Sequence, residues 1–122
     1  MRVLLVEDDA LAREAAQRLL DLWGCDIRVS AGDPGLVESL RSQSWQPQVV
    51  LSDFRLGGHA DGLEIVRTLR ESFGRQLPAL VVSGDTEVGL REQAARAEVE
   101  LLYKPIQPAA LHDALARLYA RG

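Results

Sequence analysis

The chain has 122 residues, of which 47% are hydrophobic and 26% charged, and its formal net charge is −4 at pH 7. This length and composition predict a single soluble domain over residues 1–122 and exclude an extensively disordered chain. The negative charge excludes a general electrostatic affinity for nucleic acid or anionic membranes, and no apolar run in the sequence is long enough to span a bilayer.

Short apolar segments alternate with segments of helical period, a pattern that predicts repeated βα units and a parallel sheet. The predicted strands are residues 3–6, 26–30, 49–52, 79–82 and 99–103. The first, third and fourth are continuously apolar, as expected for strands that helices cover on both faces. In the second, Ile27 and Val29 alternate with polar residues, so this strand is predicted to lie at an edge of the sheet.

Helices are predicted in the intervening segments, and residues that favour helix ends mark the first two. The apolar stripe of the first helix consists of Leu11, Ala15, Leu19 and Leu22. Gly24 is predicted to end this helix, because glycine readily adopts the left-handed conformation found after a helix. The second helix is predicted to have Asp33 as its N-cap and Pro34 at its first helical position.

The third, fourth and fifth helices complete the alternating pattern. Asp61 and Glu64 form a capping box at the start of the third helix. The apolar face of this helix consists of Ile65, Val66, Leu69 and Phe73. The fourth helix is predicted to begin near Asp85 or Thr86, and Pro108 opens the fifth. The inward residues of the fifth helix are Leu111, Leu115 and Leu118.

Polar residues follow four of the predicted strands at their carboxyl ends, where ligands bind in an open doubly wound sheet. They are Glu7, Asp8 and Asp9 after the first strand, Asp53 after the third, Ser83 after the fourth and Lys104 after the fifth. Parallel strands align their carboxyl ends, so these residues are predicted to converge on one rim. Lys104 is also the only lysine in the sequence.

Each of these residues has an ordinary structural interpretation when it is considered alone. Asp9 can cap the first helix, and Asp53 and Ser83 can be turn residues. Lys104 can be a solvated surface charge, as most lysines are. Their joint position at the strand ends therefore carries the functional prediction.

The remaining distinctive side chains favour structural roles. Trp23 and Trp45 are predicted to cover the core, and His59 to lie in a loop. Cys25 is the only cysteine, which excludes an internal disulfide, and its spacing from His59 and His112 does not match a zinc site. The early acidic segment "VEDD" excludes a signal peptide and predicts a cytoplasmic location.

Over its whole length the chain resembles the receiver domains of bacterial two-component response regulators. "VLLVEDD" is similar to the first strand and acidic pair of that family, and "VVLSDFRL" to its phosphoacceptor strand. "LVVSG" is similar to its hydroxyl position, and "LLYKPI" to its aromatic and Lys-Pro signature. The resemblance implies an α/β flavodoxin-like fold, a doubly wound five-stranded parallel sheet of order 2-1-3-4-5 with five helices.

The resemblance implies that Asp53 accepts a phosphoryl group from a phosphohistidine on a histidine kinase or a histidine phosphotransfer protein. Glu7, Asp8 and Asp53 would bring about three negative charges together, and bare carboxylates raise one another's pKa. A hard divalent cation relieves this repulsion, and Mg²⁺ suits an oxygen shell that retains several waters. By the family pattern the direct ligands are Asp8, Asp53 and the backbone carbonyl of Arg55. Glu7 acts through a coordinated water.

The family pattern also places Lys104 beside the phosphoryl group and implies a cis Lys104-Pro105 bond. The compact ammonium of lysine suits a crowded rim better than the broad planar fork of arginine. Replacement of Lys104 by arginine is therefore expected to preserve the fold and block phosphorylation signalling.

Ser83 and Tyr103 are predicted to form the switch that responds to phosphorylation. A phosphoryl group adds about −1.5 to −2 charges and three acceptor oxygens at Asp53. The Ser83 hydroxyl would move to one of these oxygens, and Tyr103 would rotate into the space that it leaves. The altered surface would be that of helix four, strand five and helix five, through which a homodimer is also predicted. The alternative is that Tyr103 is only an aromatic residue at a strand end.

The loop after the phosphoacceptor departs from the common family pattern. Many response regulators carry a Met-Pro pair there, whereas this chain has Leu56 and Gly57 in a loop that is one residue longer. That form resembles receivers attached to hybrid histidine kinases, through which the domain would be tethered to a membrane. The sequence favours excision from such a longer protein over a stand-alone receiver.

Three other classes of function are compatible with parts of the sequence. A haloacid-dehalogenase-type phosphatase needs a second aspartate two residues after its nucleophile, where Arg55 stands. A flavodoxin-like redox module needs a phosphate-binding loop after the first strand, where "VEDD" repels phosphate. A phosphorylation-independent interaction module is the main alternative. The domain is not predicted to be an enzyme, apart from the autophosphorylation and autodephosphorylation capacity that the family implies.

Overall fold

Helices and strands alternate regularly in the computed structural model, which describes residues 1–58, 60–84 and 88–121. In chain order the elements are β1 (Arg2–Val6), α1 (Ala10–Leu22), β2 (Asp26–Ser30), α2 (Leu36–Ser42), β3 (Val49–Asp53), α3 (Gly62–Phe73), β4 (Ala79–Ser83), α4 (Leu90–Arg96), β5 (Glu100–Tyr103) and α5 (Pro108–Arg121). The strands form one parallel sheet of order β2-β1-β3-β4-β5. The predicted fold is confirmed, with β2 at an edge, and each predicted strand boundary lies within one residue of the observed one.

Alternate side chains of each central strand pack against different helices. Leu4 and Val6 of β1 join the core under α2, α3 and α4, whereas Val3 and Leu5 join the core under α1 and α5. Each of these four side chains is at most 3% exposed. Burial of a leucine or valine contributes about 1.5–3 kcal/mol, so the sheet has a stabilising core on both faces.

Local capping explains where several of the helices begin and end. The Asp9 carboxylate accepts a hydrogen bond from the Ala12 amide at 3.1 Å, and α1 is followed by Gly24 with a φ of 78°. Asp61 and Glu64 form the predicted capping box at the start of α3. These contacts satisfy backbone groups that a helix end leaves without an intrahelical partner.

The prediction for the start of α2 is wrong by about half a turn. Asp33 and Pro34 lie in a turn before the helix rather than at the N-cap and the first helical position, and the Asp33 carbonyl accepts from the Leu36 amide at 3.1 Å. Gly35 is the N-cap and makes no side-chain capping bond. For α4, the described helix begins at Leu90, and the predicted start near residues 85–86 lies outside the described residues.

The stripe predicted as the apolar face of α1 is largely on the outside of the molecule. Leu11 and Leu22 are each 78% exposed, whereas Leu20 is fully buried against the sheet. Ala16 and Trp23 pack partly against the same core as Leu20, at the spacing of successive helical turns. Since α1 has two apolar sides and only one can face the sheet, the sequence pattern alone does not decide between them.

The carboxyl-terminal elements match their predictions. The inward residues Leu111, Leu115 and Leu118 are buried, and α5 begins at Pro108. The Lys104-Pro105 bond is cis. Trp45 is buried and Trp23 half-buried, as predicted for residues that cover the core, whereas His59 lies outside the described residues. Within the described ranges we find no helix with the length and apolarity needed to cross a membrane.

Candidate functional site

Three carboxylates come together at the carboxyl ends of β1 and β3. Oxygens of Glu7, Asp8 and Asp53 lie within 4.8 Å of one another, and these three residues form the carboxylate cluster. Glu7 is buried, the Asp53 side chain is 12% exposed, and Asp8 is exposed to solvent. The cluster therefore offers oxygen donors at a surface that a partner can reach.

The backbone of the sheet holds these residues in place. The Glu7 amide donates to the Ser30 carbonyl at 2.9 Å, which extends the pairing of β1 with β2. The Phe54 amide donates to the Val82 carbonyl at 2.8 Å and anchors the segment just after Asp53 on β4. Because parallel strands end together, residues that are far apart in sequence lie on the same rim.

Lys104 supplies a positive charge to this rim. Its Nζ atom lies 3.0 Å from Oδ1 of Asp53, and its backbone amide donates to the Ser83 carbonyl at 2.8 Å. Burial lowers the pKa of Lys104, but the hydrogen bond and charge of Asp53 outweigh burial and raise it. The ammonium therefore stays protonated and points at the carboxylate.

The environment of Glu7 raises the pKa of its carboxyl group. Burial, followed by the negative charge of Asp53, raises the pKa of Glu7 from 4.5 to about 7. The hydrogen bond from the Asp9 amide and the charge of Lys104 act in the opposite direction. Burial and like charges disfavour an ionised carboxyl group, so the cluster is poised to gain a cation or a proton.

Ser83 and Tyr103 lie at the ends of neighbouring strands. They are paired in the register of β4 and β5, and Ser83 is buried whereas Tyr103 is 37% exposed. The Tyr103 ring faces α4, where the Arg91 guanidinium carbon lies 5.9 Å from the ring centroid. The ring is therefore on the outer side of the sheet end, against the helix that follows β4.

Two other polar residues of the predicted rim have different positions. The Asp9 side chain caps α1 and lies outside the carboxylate cluster. Arg55 is exposed in the loop after Asp53. The role predicted for its backbone carbonyl stays a prediction.

Gly57 in the loop after β3 and Gly62 at the start of α3 approach the site closely, and sequence reasoning missed their role. Gly57 has a φ of 41°, and a Cβ atom at this position would lie 2.6 Å from Oδ2 of Asp8. A Cβ atom at Gly62 would lie 2.5 Å from the backbone oxygen of Asp53. The segments "GG" and "DG" signal turns, but close approach to a carboxylate depends on tertiary structure.

Comparison with known sequences identifies a matching family and several relatives. The response regulator receiver domain profile matches residues 3–116. The chain is 35% identical over 117 residues to the C4-dicarboxylate transport transcriptional regulatory protein DctD of Pseudomonas aeruginosa, covering 95% of this chain and 24% of that protein. It is 32% identical over 120 residues to the response regulator MprA of Mycobacterium avium, covering 98% and 50%. The chain thus spans about a quarter to a half of the length of these relatives.

Solved structures of similar chains share the fold. A response regulator receiver protein from Sinorhizobium medicae superposes with a TM-score of 0.84 at 25% identity, covering 100% of this chain and 97% of that one. The receiver domain of a sensor histidine kinase from Pseudomonas aeruginosa, solved with a magnesium ion coordinated in its active site cleft, gives a TM-score of 0.78 at 27% identity. That comparison covers 98% of this chain and 97% of the other. This chain belongs to the response regulator receiver domain family, whose members are signalling domains of two-component systems.

Proposed function

We propose that this chain is the phosphoacceptor domain of a two-component phosphorelay and that Asp53 receives the phosphoryl group. The observation that supports this most directly is the position of Lys104, whose Nζ lies 3.0 Å from the Asp53 carboxylate beside the carboxylate cluster. A nucleophilic carboxylate can accept a phosphoryl group, while acidic cation ligands and a fixed ammonium stabilise the charge on it.

In the proposed reaction, a carboxylate oxygen of Asp53 attacks the phosphorus of a phosphohistidine. The new O–P bond gives an aspartyl phosphate, and the P–N bond breaks with its electron pair remaining on the imidazole nitrogen, which then takes a proton. Lys104 stabilises negative charge on the phosphoryl oxygens, because its ammonium already lies within hydrogen-bonding distance of the attacking group. Positioning and electrostatic stabilisation provide most of the rate acceleration in such reactions.

The residues of the carboxylate cluster fit a magnesium ion. Carboxylate oxygens are the donors that Mg²⁺ prefers, and these three acidic groups are close enough to share one cation. Asp8, Asp53 and the backbone carbonyl of Arg55 would hold the ion, and Glu7 would act through a bound water. A bound Mg²⁺ neutralises charge on a transferring phosphoryl group. Without a cation, burial and then the negative charge of Asp53 raise the pKa of Glu7.

Phosphorylation is proposed to act on the surface formed by α4, β5 and α5. The Ser83 hydroxyl would bind a phosphoryl oxygen, and Tyr103, which now lies outward against Arg91, would move inward. A shift from mostly inactive to mostly active molecules needs about 5.5 kcal/mol of differential stabilisation, within reach of a few charge-assisted hydrogen bonds. The same surface is the proposed homodimer interface.

Leu101, the neighbour of Tyr103 on the same side of β5, suggests a second mechanism for the switch. Leu101 packs partly against the core under α4, two residues before Tyr103. If phosphorylation instead moves α4 over Leu101, a structure of the phosphorylated protein will show Leu90 displaced relative to Leu101 while Tyr103 keeps its outward rotamer. An inward rotamer of Tyr103 supports the proposed rotation.

The phosphoryl donor is proposed to be a histidine kinase or a histidine phosphotransfer protein that docks on α1. The apolar stripe of α1 (Leu11, Ala15, Leu19 and Leu22) begins near the carboxylate cluster, because Leu11 follows the cluster residue Asp8 by only three residues. Two leucines that are 78% exposed on one helix form an apolar surface that the described part of this chain leaves uncovered. A donor helix on this stripe would bring its phosphohistidine to Asp53. A cytoplasmic location is proposed with this partner.

Intact mass after incubation with acetyl phosphate and Mg²⁺ tests the proposed function. We expect the protein to gain the mass of one phosphoryl group and the Asp53→Asn variant to gain none. Ser52→Ala is a matched control in the same strand, because its hydroxyl bonds the backbone carbonyl of Asp53 and lies outside the carboxylate cluster. If the protein gains no mass with any phosphoryl donor, the result would favour an interaction module that works without phosphorylation.

A further inference from the structure

We propose that Gly57 is a positioning residue of the cation site. Because glycine has no side chain, the Asp8 carboxylate can occupy the space beside residue 57 and keep its position in the carboxylate cluster. The inference rests on the proposed function, since it concerns the Mg²⁺ ligand Asp8. Gly57 itself offers no side-chain donor. Its effect is on the orientation that the Asp8 side chain can adopt.

The contact between Gly57 and Asp8 is closer than any other residue type allows. A Cβ atom on residue 57 would lie 2.6 Å from Oδ2 of Asp8, below the 3.0 Å that real Cβ contacts respect. The carboxylate is the tip of an exposed side chain, so it would move away while the backbone stayed in place. A side chain at position 57 would therefore displace a cation ligand without preventing the chain from folding.

Displacement of this ligand matters more for Mg²⁺ than for the fold. Mg²⁺ requires nearly octahedral ligand positions at about 2.0–2.1 Å. Ligands must be held within roughly 0.5 Å of their working positions, and loss of a residue that orients a ligand typically lowers metal affinity about 10–100-fold. Gly57 sets the position of Asp8 from one side, while the end of β1 sets it from the other.

The same geometry accounts for the unusual loop sequence. The backbone of Gly57 has a φ of 41°, whereas proline requires a φ near −65°. A proline at this position is therefore incompatible with the path of this longer loop. The loop instead uses glycine, and its close approach to Asp8 follows from that path.

Isothermal titration calorimetry with Mg²⁺ tests the proposal by comparing the full wild-type chain with three variants. Gly57→Ala adds both a Cβ atom and backbone strain, and Gly57→Asn adds the Cβ atom with less strain, because asparagine tolerates positive φ. Gly24→Ala is the matched control, since Gly24 has a φ of 78° and a Cβ atom there would have no described atom within 4 Å beyond its neighbours in sequence. We expect about tenfold weaker Mg²⁺ binding in both Gly57 variants and wild-type binding in Gly24→Ala.

Unfolding by urea in the absence of metal separates ligand displacement from loss of structure. We expect Gly57→Ala and Gly24→Ala to lose similar stability, because both force alanine into the left-handed region. If Gly57→Ala fails to fold, Gly57→Asn decides the outcome. Mg²⁺ affinity within twofold of wild type in a folded Gly57 variant would overturn the role of Gly57. Absence of Mg²⁺ binding by the wild-type chain would instead overturn the cation site itself, and the role of Gly57 with it.

Discussion

The interior of the sheet and its carboxyl-end rim have opposite chemistry although they belong to the same strands. In the interior, Leu4, Val50 and Leu80 are fully buried among apolar side chains. At the rim, β1 and β3 continue into the carboxylate cluster, where burial and like charge raise the pKa of Glu7 to about 7. The interior stabilises the fold, whereas the buried carboxyl group of Glu7 at the rim lowers stability when it is ionised and no cation is bound. Substitutions in the two regions should therefore have opposite effects on stability.

The largest effect is expected from a truncation in the interior. Leu80→Ala removes a fully buried side chain of β4 and should lower the free energy of unfolding by about 2–5 kcal/mol, through lost burial and the cavity left behind. Urea denaturation monitored by circular dichroism measures the change. Asp8→Ala is the control at the rim, and we expect it to leave stability unchanged or to increase it. Equal losses in the two variants would contradict the contrast between interior and rim.

Neutralisation of Glu7 should stabilise the metal-free protein, with an effect that depends on pH. The folded-state pKa of Glu7 is raised from 4.5 to about 7, so the folded chain holds this proton more tightly than the unfolded chain does. Stability is therefore lost as the pH rises through that window. Glu7→Gln avoids this loss and should add on the order of 3 kcal/mol at pH 8.

Urea denaturation with a chelator at pH 8 and at pH 4 measures this effect. At pH 4 the carboxyl group is mostly protonated in both states, so the difference between Glu7→Gln and wild type should nearly disappear. Glu38→Gln is a matched control, because Glu38 is exposed on α2, away from the carboxylate cluster. A gain of the same size at both pH values would show that ionisation of Glu7 is not its cause.

The Lys104→Arg substitution should leave the stability of the fold nearly unchanged and impair phosphoryl transfer to Asp53. The ion pair of Lys104 with Asp53 lies at the surface, so the free energy of unfolding should change by less than about 1 kcal/mol. The broad guanidinium does not reproduce the compact ammonium beside Asp53. We therefore expect acetyl phosphate and Mg²⁺ to give the variant little of the wild-type mass gain. Wild-type phosphorylation in Lys104→Arg would refute the need for a compact charge.

The fold could be predicted from the sequence because its determinants are local or periodic. Apolar runs gave each strand within one residue, and the Asp61 and Glu64 capping box marked the start of α3. The convergence of Glu7, Asp53 and Lys104 followed from a general property of parallel sheets, namely that their strands end together. These inferences need no knowledge of side-chain packing.

The errors arose where packing selects among locally acceptable alternatives. Helix α1 has two apolar sides, and contact with the sheet buries Leu20 and leaves Leu11 exposed. Asp33 has a side chain suited to capping, but it begins a turn before α2 and Gly35 is the N-cap. The closeness of Gly57 to Asp8 joins two loops that are distant in sequence. Such choices depend on tertiary contacts that a single sequence does not display.

The smallest effect on stability is expected on the outer side of α1, and it sharpens the contrast between buried and functional residues. Leu11→Ser combined with Leu22→Ser should change the free energy of unfolding by less than about 0.5 kcal/mol per site, because both side chains are 78% exposed. Leu20→Ala on the buried side of α1 is the control, and it should lower the free energy of unfolding by about 2–5 kcal/mol. Urea denaturation of the three proteins measures these differences.

Phosphorylation by two kinds of donor then shows what the exposed leucines do. Acetyl phosphate is too small to use the apolar stripe, so it should phosphorylate the double variant at the wild-type rate. A phosphorylated histidine phosphotransfer protein needs a docking surface, so its transfer to the double variant should be slower. Slowing with both donors would place the defect at the carboxylate cluster, and slowing with neither would show that the donor docks elsewhere. Only a selective loss with the protein donor would connect the exposed side of α1 to the chemistry at Asp53.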